Sequence, residues 1–222
     1  MKTLDAVVFD FDGTLVDGLD AIVECFHLAF DKFQLAAPSK DEIRKRIGLP
    51  LYDIYTAFLP PEHHKNINSV MEAYRSVAVD ILPAKTYLRP GVAETLDTLK
   101  TSGIKLGIAT TKGTATTLKT IEHLKIAHLF DMVCGIDMVK NPKPDPEQLL
   151  LVIERLKTIP EKAVMVGDTY VDVKAAKAAG MISAAVLDGF GEKKLIEDAS
   201  PDFMLETIAD LTKSGLIFGR FN

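Results

Sequence analysis

Asp10 and Asp12 stand two residues apart in the run Asp10-Phe11-Asp12-Gly13-Thr14, immediately after the apolar stretch Ala6 to Phe9. A second apolar stretch, Ala163 to Val166, leads into Gly167-Asp168, with Asp172 one helical turn further on. Open α/β sheets bind their ligands at the carboxyl ends of parallel strands, so both acidic pairs point to one site. Thr110 and Thr111 close a third apolar run, and Lys143-Pro144-Asp145-Pro146 precedes a helical pattern starting near Glu147. Four carboxylates gathered together raise one another's pKa and oppose folding unless cations offset them. Lys143 and a hard divalent ion meet that need. All-oxygen ligation by aspartates suits Mg²⁺, whose remaining positions take water and phosphate oxygens. Thr110 and the amides that follow it, at a strand-to-helix turn, can hold such oxygens.

Each element taken alone has a plainer explanation. An isolated Asp-x-Asp-Gly is an Asp-Gly turn beside a surface acid, Asp168 and Asp172 can cap a helix and favour its dipole, Thr110 can cap another, and Lys143 can be a solvated lysine. The buried strand before Asp10 and its partners downstream reverse those odds. His63-His64 reads as a solvated pair, because adjacent helical side chains diverge. Arg44-Lys45-Arg46 reads as a solvated helix face.

The elements that must position these residues are short β-rich runs alternating with helical patterns: Ala6 to Phe9, Ile104 to Ala109, Ala163 to Val166, Ser183 to Leu187 and, more weakly, Met132 to Cys134. Such alternation predicts an α/β fold, a Rossmann-like parallel sheet with helices on both faces. From Leu15 to about Lys85 the period becomes helical, with Ile22, Phe26, Ala29, Phe30 and Phe33 on one stripe and Val70, Tyr74, Val77 and Ile81 on another. Pro38-Ser39, Gly48-Leu49-Pro50 and Pro60-Pro61 divide this stretch into several helices. A βαβ unit needs only about 30 residues, so the distance from Asp12 to Thr110 accommodates an all-helical insertion as well. The expected division is a core of residues 1–15 and 85–222 with a helical domain of 16–84, joined by hinges near Leu15 to Leu19 and Pro83 to Arg89.

At 222 residues the chain buries a substantial core, and 47% hydrophobic with 26% charged residues is ordinary for a globular protein. The net charge of -5 supplies no positive field for a nucleic-acid backbone or an anionic membrane. No apolar stretch approaches the roughly 20 residues that span a bilayer. Cys25 and Cys134 form no CxxC pair and no signal peptide is legible, so the expectation is a cytoplasmic protein with two reduced packing thiols. Monomer and homodimer both stay open.

The four elements, in this order and spacing, resemble the haloacid dehalogenase superfamily of phosphatases over nearly the whole chain. The resemblance implies Asp10 as nucleophile, Asp12 as general acid/base, Thr110 and Lys143 as phosphate ligands, and Mg²⁺ held by Asp10, the Asp12 main-chain carbonyl, Asp168 and, directly or through water, Asp172. Thr111 stands where many relatives carry Asn, so a side-chain amide contact to phosphate is replaced or lost. The insertion after the first motif is similar to the family's helical cap, and the short gap from Thr110 to Lys143 leaves no room for the later cap type. The Gly48-Leu49-Pro50 turn, the stretch Lys143 to Glu147, Gly167 to Gly180, and Gly189-Phe190-Gly191 with Pro201-Asp202-Phe203 are most similar to phosphoglycolate phosphatases and their pyrophosphate-cleaving relatives.

What this implies is hydrolysis of a small phosphorylated metabolite, phosphoglycolate first, with inorganic pyrophosphate or a nucleotide or sugar phosphate as alternatives. A non-enzymatic rival, a phospho-acceptor signalling domain, needs neither Asp12 nor a cap. β-Phosphoglucomutase shares this cap and these motifs, but the resembling mutases carry a hinge histidine at the position of Ile22, and an aliphatic side chain exchanges no proton. His27 falls off the stripe that carries Ile22 and Phe26.

Overall fold

The computed structural model describes residues 4–217. Six strands, β1 (Ala6–Phe9), β4 (Lys105–Ala109), β5 (Met132–Cys134), β6 (Ala163–Gly167), β7 (Ile182–Val186) and β8 (Phe203–Leu205), form one sheet in the order β5-β4-β1-β6-β7-β8. Every pairing in it is parallel. Ala6 aligns with Lys105 on one side and Ala163 on the other, and the register holds to Phe9. β4 and β6 run one residue past β1, to Ala109 and Gly167, so the three central strands end within one residue of each other.

Successive side chains of a strand point to opposite faces, and both faces here are buried. Val7, Phe9, Leu106, Ile108, Val164 and Val166 enter one core with helix α5 (Val92–Thr101) and Ile121 of α6 (Thr114–His123). Ala6, Val8, Ala109, Ala163 and Met165 enter the other, beneath α7 (Glu147–Arg155) and α8 (Tyr170–Ala179). That two-sided burial is why these runs are continuously apolar rather than alternating.

Between β1 and α5 the chain crosses twice through a small antiparallel pair, β2 (Val16–Asp17) and β3 (Tyr87–Leu88). All that lies between the two is helical: α1 (Leu19–Lys32), α2 (Lys40–Arg44), α3 (Leu51–Phe58), a 3-10 turn over Pro61–Asn66, and α4 (Ile67–Lys85). These helices bury a cluster of their own, with Ile22, Phe26, Phe30, Tyr55 and Val70 at its centre and Phe33, Tyr74, Val77 and Ile81 packed around it. The Phe26 ring lies 5.1 Å from Tyr55 and 4.9 Å from Tyr74. The Ser39 hydroxyl and Glu42 carboxylate exchange hydrogen bonds with each other's backbone amides, starting α2 at the expected break. The helical path differs from the expected hinge in one respect, because α4 runs through Pro83 to Lys85. Proline costs one backbone bond there, in the last turn, rather than interrupting the helix.

β8 closes the sheet edge where no strand was expected. Its approach is fixed by Asp202, which accepts from the Ser183 amide at 2.8 Å and the Ser183 hydroxyl at 2.6 Å. Both cysteines are free and buried, and burial pushes their thiols up to about 12 for Cys25 and about 11 for Cys134, so neither is a reactive thiolate. Among the described residues no helix is long and apolar enough to cross a membrane.

Candidate active site

The adjoining ends of β4, β1 and β6 bring Thr110, Asp10 and Asp168 together, each one residue beyond its strand, with Thr110 and Asp168 one step further along the register than Asp10. The Asp10 amide donates to the Val166 carbonyl at 2.8 Å, carrying the β1–β6 ladder one step further. After Asp12 the chain turns through Gly13 at φ +90°, and a Cβ there would lie 2.3 Å from Asp168 Oδ2. Glycine is required on both counts.

Three carboxylates, Asp10, Asp168 and Asp172, bring ligand oxygens within 4.8 Å of one another, all buried. Asp172 reconciles the two readings of its position. Its Oδ2 accepts from the Thr169 amide at 3.1 Å and hydroxyl at 2.6 Å, capping α8, while its Oδ1 accepts from Lys143 Nζ at 2.5 Å. Lys143 also donates to Asp10 Oδ1 at 2.8 Å and is itself 1% exposed. Burial alone would lower its pKa, but Asp10 and Asp172 overcome that and hold it above the ordinary lysine range.

The Asp168 carboxylate accepts from the Thr14 hydroxyl at 2.8 Å and the Phe190 amide at 2.7 Å. Even so, burial and the charge of Asp172 push its pKa up to about 6. Asp10 is pushed well above the ordinary carboxylate range, first by burial and then by Asp172 and Asp168, against the opposing pull of Lys143. Three buried acids thus share one lysine, and the deficit is positive charge. An all-carboxylate donor set of this kind fits a shared hard cation, since Mg²⁺ takes oxygen ligands and would supply the missing positive charge.

Asp12 lies outside this trio. Its Oδ1 accepts from Lys112 Nζ at 2.8 Å, and Lys112 also lies over the Phe11 ring at 5.3 Å from the centroid. Thr110 is buried, its own amide is engaged by the Cys134 carbonyl at 3.0 Å and its Oγ1 accepts from the Lys112 amide at 3.2 Å, which leaves the hydroxyl hydrogen to donate to a ligand. Gln148 joins two motifs: its Nε2 donates to the Thr110 carbonyl at 3.0 Å and its Oε1 accepts from the Lys143 amide at 3.3 Å. Thr111 is half-buried on the wall of a cavity of about 520 Å³ between the helical segment and the sheet, reached also by Asp12 and Lys112.

Several of these contacts were not expected. Thr14 closes the first acidic run and Lys112 directly follows Thr110-Thr111, neither with an expected role, and Gln148 has no sequence signal because its partners depend on how α7 returns to the sheet. The basic run is only in part a solvated face, for Arg44 and Lys45 are exposed and Arg46 is half-buried, yet both arginines have partners. Arg44 Nη2 donates to the Gly189 carbonyl at 2.9 Å and lies 5.9 Å over Phe190, while Arg46 lies 4.7 Å over Phe58. His64 meets the Leu59 carbonyl at 3.0 Å, and His27 that of Pro38, also at 3.0 Å.

The model for haloacid dehalogenase-like hydrolases matches residues 7–186, a span that contains every one of these acids and Lys143. The chain belongs to that family. It is 35% identical to "Pyrophosphatase PpaX" of Bacillus velezensis over 95% of both chains, and 31% identical to "Phosphoglycolate phosphatase" of Salmonella typhi over 95% of this chain and 92% of that one. Among solved structures, a "putative haloacid dehalogenase-like hydrolase" from Bacteroides fragilis superposes with a TM-score of 0.88 at 31% identity, covering 94% of this chain and all of the other. The chain is accordingly a phosphatase-type enzyme of the haloacid dehalogenase family, built on that family's α/β fold.

Proposed function

We propose that this enzyme is a Mg²⁺-dependent phosphohydrolase that moves phosphate from a small monoester to Asp10 and then to water, beneath a cap formed by residues 16–84. The observation that carries the reading is the buried trio of Asp10, Asp168 and Asp172 with Lys143 as its single paired cation. Mg²⁺ would be held by Asp10, Asp168, the Asp12 main-chain carbonyl and, directly or through water, Asp172, and it would neutralise the trio and the phosphoryl oxygens. Lys143 and Thr110 hold the transferring group in line with Asp10, whose carboxylate oxygen attacks phosphorus. The transition state is loose, so positioning and charge stabilisation supply most of the acceleration. Asp12 gives its proton to the leaving alkoxide, then takes one from the water that attacks the aspartyl phosphate.

Phosphoglycolate and pyrophosphate, the substrates in the relatives' names, are the reference compounds for this site. Two features support hydrolysis over the rivals. Asp12 lines the cavity two residues after the acceptor, which a persistent phospho-acceptor does not need. Ile22, at the mutase histidine position, is 5% exposed and packed among the apolar residues of the helical segment. Asp10→Asn should abolish turnover of every ester while preserving the circular dichroism spectrum and the melting transition. Rapid phosphate release by that variant with Mg²⁺ present rules out the covalent route, and glucose 6-phosphate forming from β-glucose 1-phosphate faster than inorganic phosphate overturns the choice of hydrolase over mutase.

A further inference from the structure

The cavity that begins at Asp12 has two unlike walls. On the sheet side it is polar, with Thr111, Lys112, Thr114 and Asp137. On the helical side it is mostly hydrocarbon, with Ile22, Phe26, Leu49, Leu51, Ile54 and Leu82, while Tyr74 and Arg75 of α4 bring the polar atoms. Ile22, Phe26, Ile54 and Leu82 are almost wholly buried members of the helical cluster, so this wall is held in shape from behind. Asp12 is the group that touches the leaving oxygen in the reaction proposed above, which makes the cavity the compartment of the leaving group. At about 520 Å³ it falls within the roughly 300–1,000 Å³ of sites that enclose drug-sized ligands.

A doubly charged leaving group such as phosphate, or a carboxylate such as glycolate, would lie against this wall with its hydration stripped and only Tyr74 and Arg75 as polar neighbours on that side, which is costly. The cations on the cavity offset this in small part. Lys112 is engaged by Asp12 at 2.8 Å, and Arg75 is exposed, so water and salt screen its charge. An alcohol with an apolar body gains from the same wall through the area it removes from water.

We infer that the preferred substrate is a phosphate monoester of an apolar alcohol, an alkyl or aryl body of several carbons lying against Ile22, Leu49, Leu51 and Ile54, rather than phosphoglycolate or pyrophosphate. The inference rests on the phosphohydrolase reading and narrows it to a leaving group.

The test is a series of ethyl, butyl and hexyl phosphate, whose alcohols have nearly the same basicity, so that chain length reports burial and not leaving-group chemistry. Phosphate release is followed with the purified enzyme and Mg²⁺, with phosphoglycolate and pyrophosphate in parallel. Each methylene that reaches the wall should raise kcat/KM about fourfold, the equivalent of about 0.8 kcal/mol. Hexyl phosphate should exceed phosphoglycolate. Ala78→Phe, which fills the cavity from α4, should flatten the series. Leu49→Asn, on a half-buried turn that can accept a polar side chain, should flatten it too and serves if the first variant fails to fold. Phosphate from phosphoglycolate or pyrophosphate with no rise along the series overturns this inference and leaves the phosphohydrolase reading standing. A rise that persists unchanged in a folded variant overturns the assignment of this cavity. No phosphate from any compound overturns both readings.

Discussion

Replacing Lys143 by Met keeps a chain of similar length and removes one charge from the centre of the site. The wild-type ammonium is 1% exposed and bonded to Asp10 at 2.8 Å and Asp172 at 2.5 Å. Breaking a buried pair by removing one partner costs about 3–5 kcal/mol, because the other charge stays behind. For a chain of this size each kcal/mol moves Tm by about 2–4 °C, so Lys143→Met should melt about 6–20 °C lower at pH 8 with a chelator present. The loss should depend on pH with a definite sign. Asp168 is raised from an ordinary 3.8 to about 6 by burial and then by Asp172, and Asp10 is raised too. An acid whose folded pKa exceeds its unfolded one binds protons on folding, so its penalty is absent below about pH 4 and complete above about pH 6. For Asp168 alone that penalty is about 3 kcal/mol. Without Lys143 the carboxyls hold protons to still higher pH, and the gap between variant and wild type should narrow from pH 8 to pH 5. Mg²⁺ at pH 8 should narrow it as well, through charge restored to the trio. Melting followed by circular dichroism at pH 5, 6.5 and 8, with chelator or Mg²⁺, reads all of this. A variant within 2 °C of wild type at pH 8 in chelator refutes the charge argument, and a loss equal at pH 5 and pH 8 shows that packing, not charge, was removed.

EDTA should stop phosphate release and added Mg²⁺ should restore it; full turnover in EDTA removes the ligand roles given to Asp168 and Asp172. Thr14→Val deletes the 2.8 Å hydrogen bond to Asp168 Oδ1, and since partners behind metal ligands typically contribute 10- to 100-fold in affinity, Mg²⁺ binding by calorimetry should weaken by about that factor. An unchanged affinity means that Thr14 does not orient the ligand. Gly13→Ala meets both a positive φ and the Asp168 carboxylate at 2.3 Å, so activity and thermal stability should fall together; an active, equally stable variant shows that the turn yields more easily than its geometry allows.

Much of the site was legible because Asp10, Thr110 and Asp168 each follow an apolar run, and those runs are buried on both faces of the sheet. Strand identity, parallel pairing and the meeting of these three follow from that, whereas Lys143 and Asp172 were legible by their spacing from them. What escaped depends on chain direction in space. β8 is three residues long, too short to display a period, and Asp202 rather than its hydropathy fixes it to Ser183. Gln148 sits in a helix pattern that any polar residue satisfies, yet it ties Thr110 to Lys143. Arg44 carried only the signal of a charged face, and its contact with Gly189 exists because two segments far apart in sequence meet over the same loop. Pro83 misled as punctuation because its effect depends on how much helix follows it, and here only one turn's remainder does.

The position of β1 has a consequence for how the chain is made. Of the six strands described in the sheet it is made before the others, and it lies between β4 and β6, with Ala6 beside Lys105 and Ala163. The helices from Leu19 to Lys85 have all their cluster partners once that stretch is synthesised, whereas β1 must wait for the last of its neighbours. At about 5–20 residues per second the wait is on the order of ten seconds, during which four apolar residues keep at least one edge unpaired and open to other chains. The early helical segment can be compact throughout that interval, so the nascent chain spends it partly folded, and the three clustered acids meet one another only after the strand that leads into Asp168 has arrived.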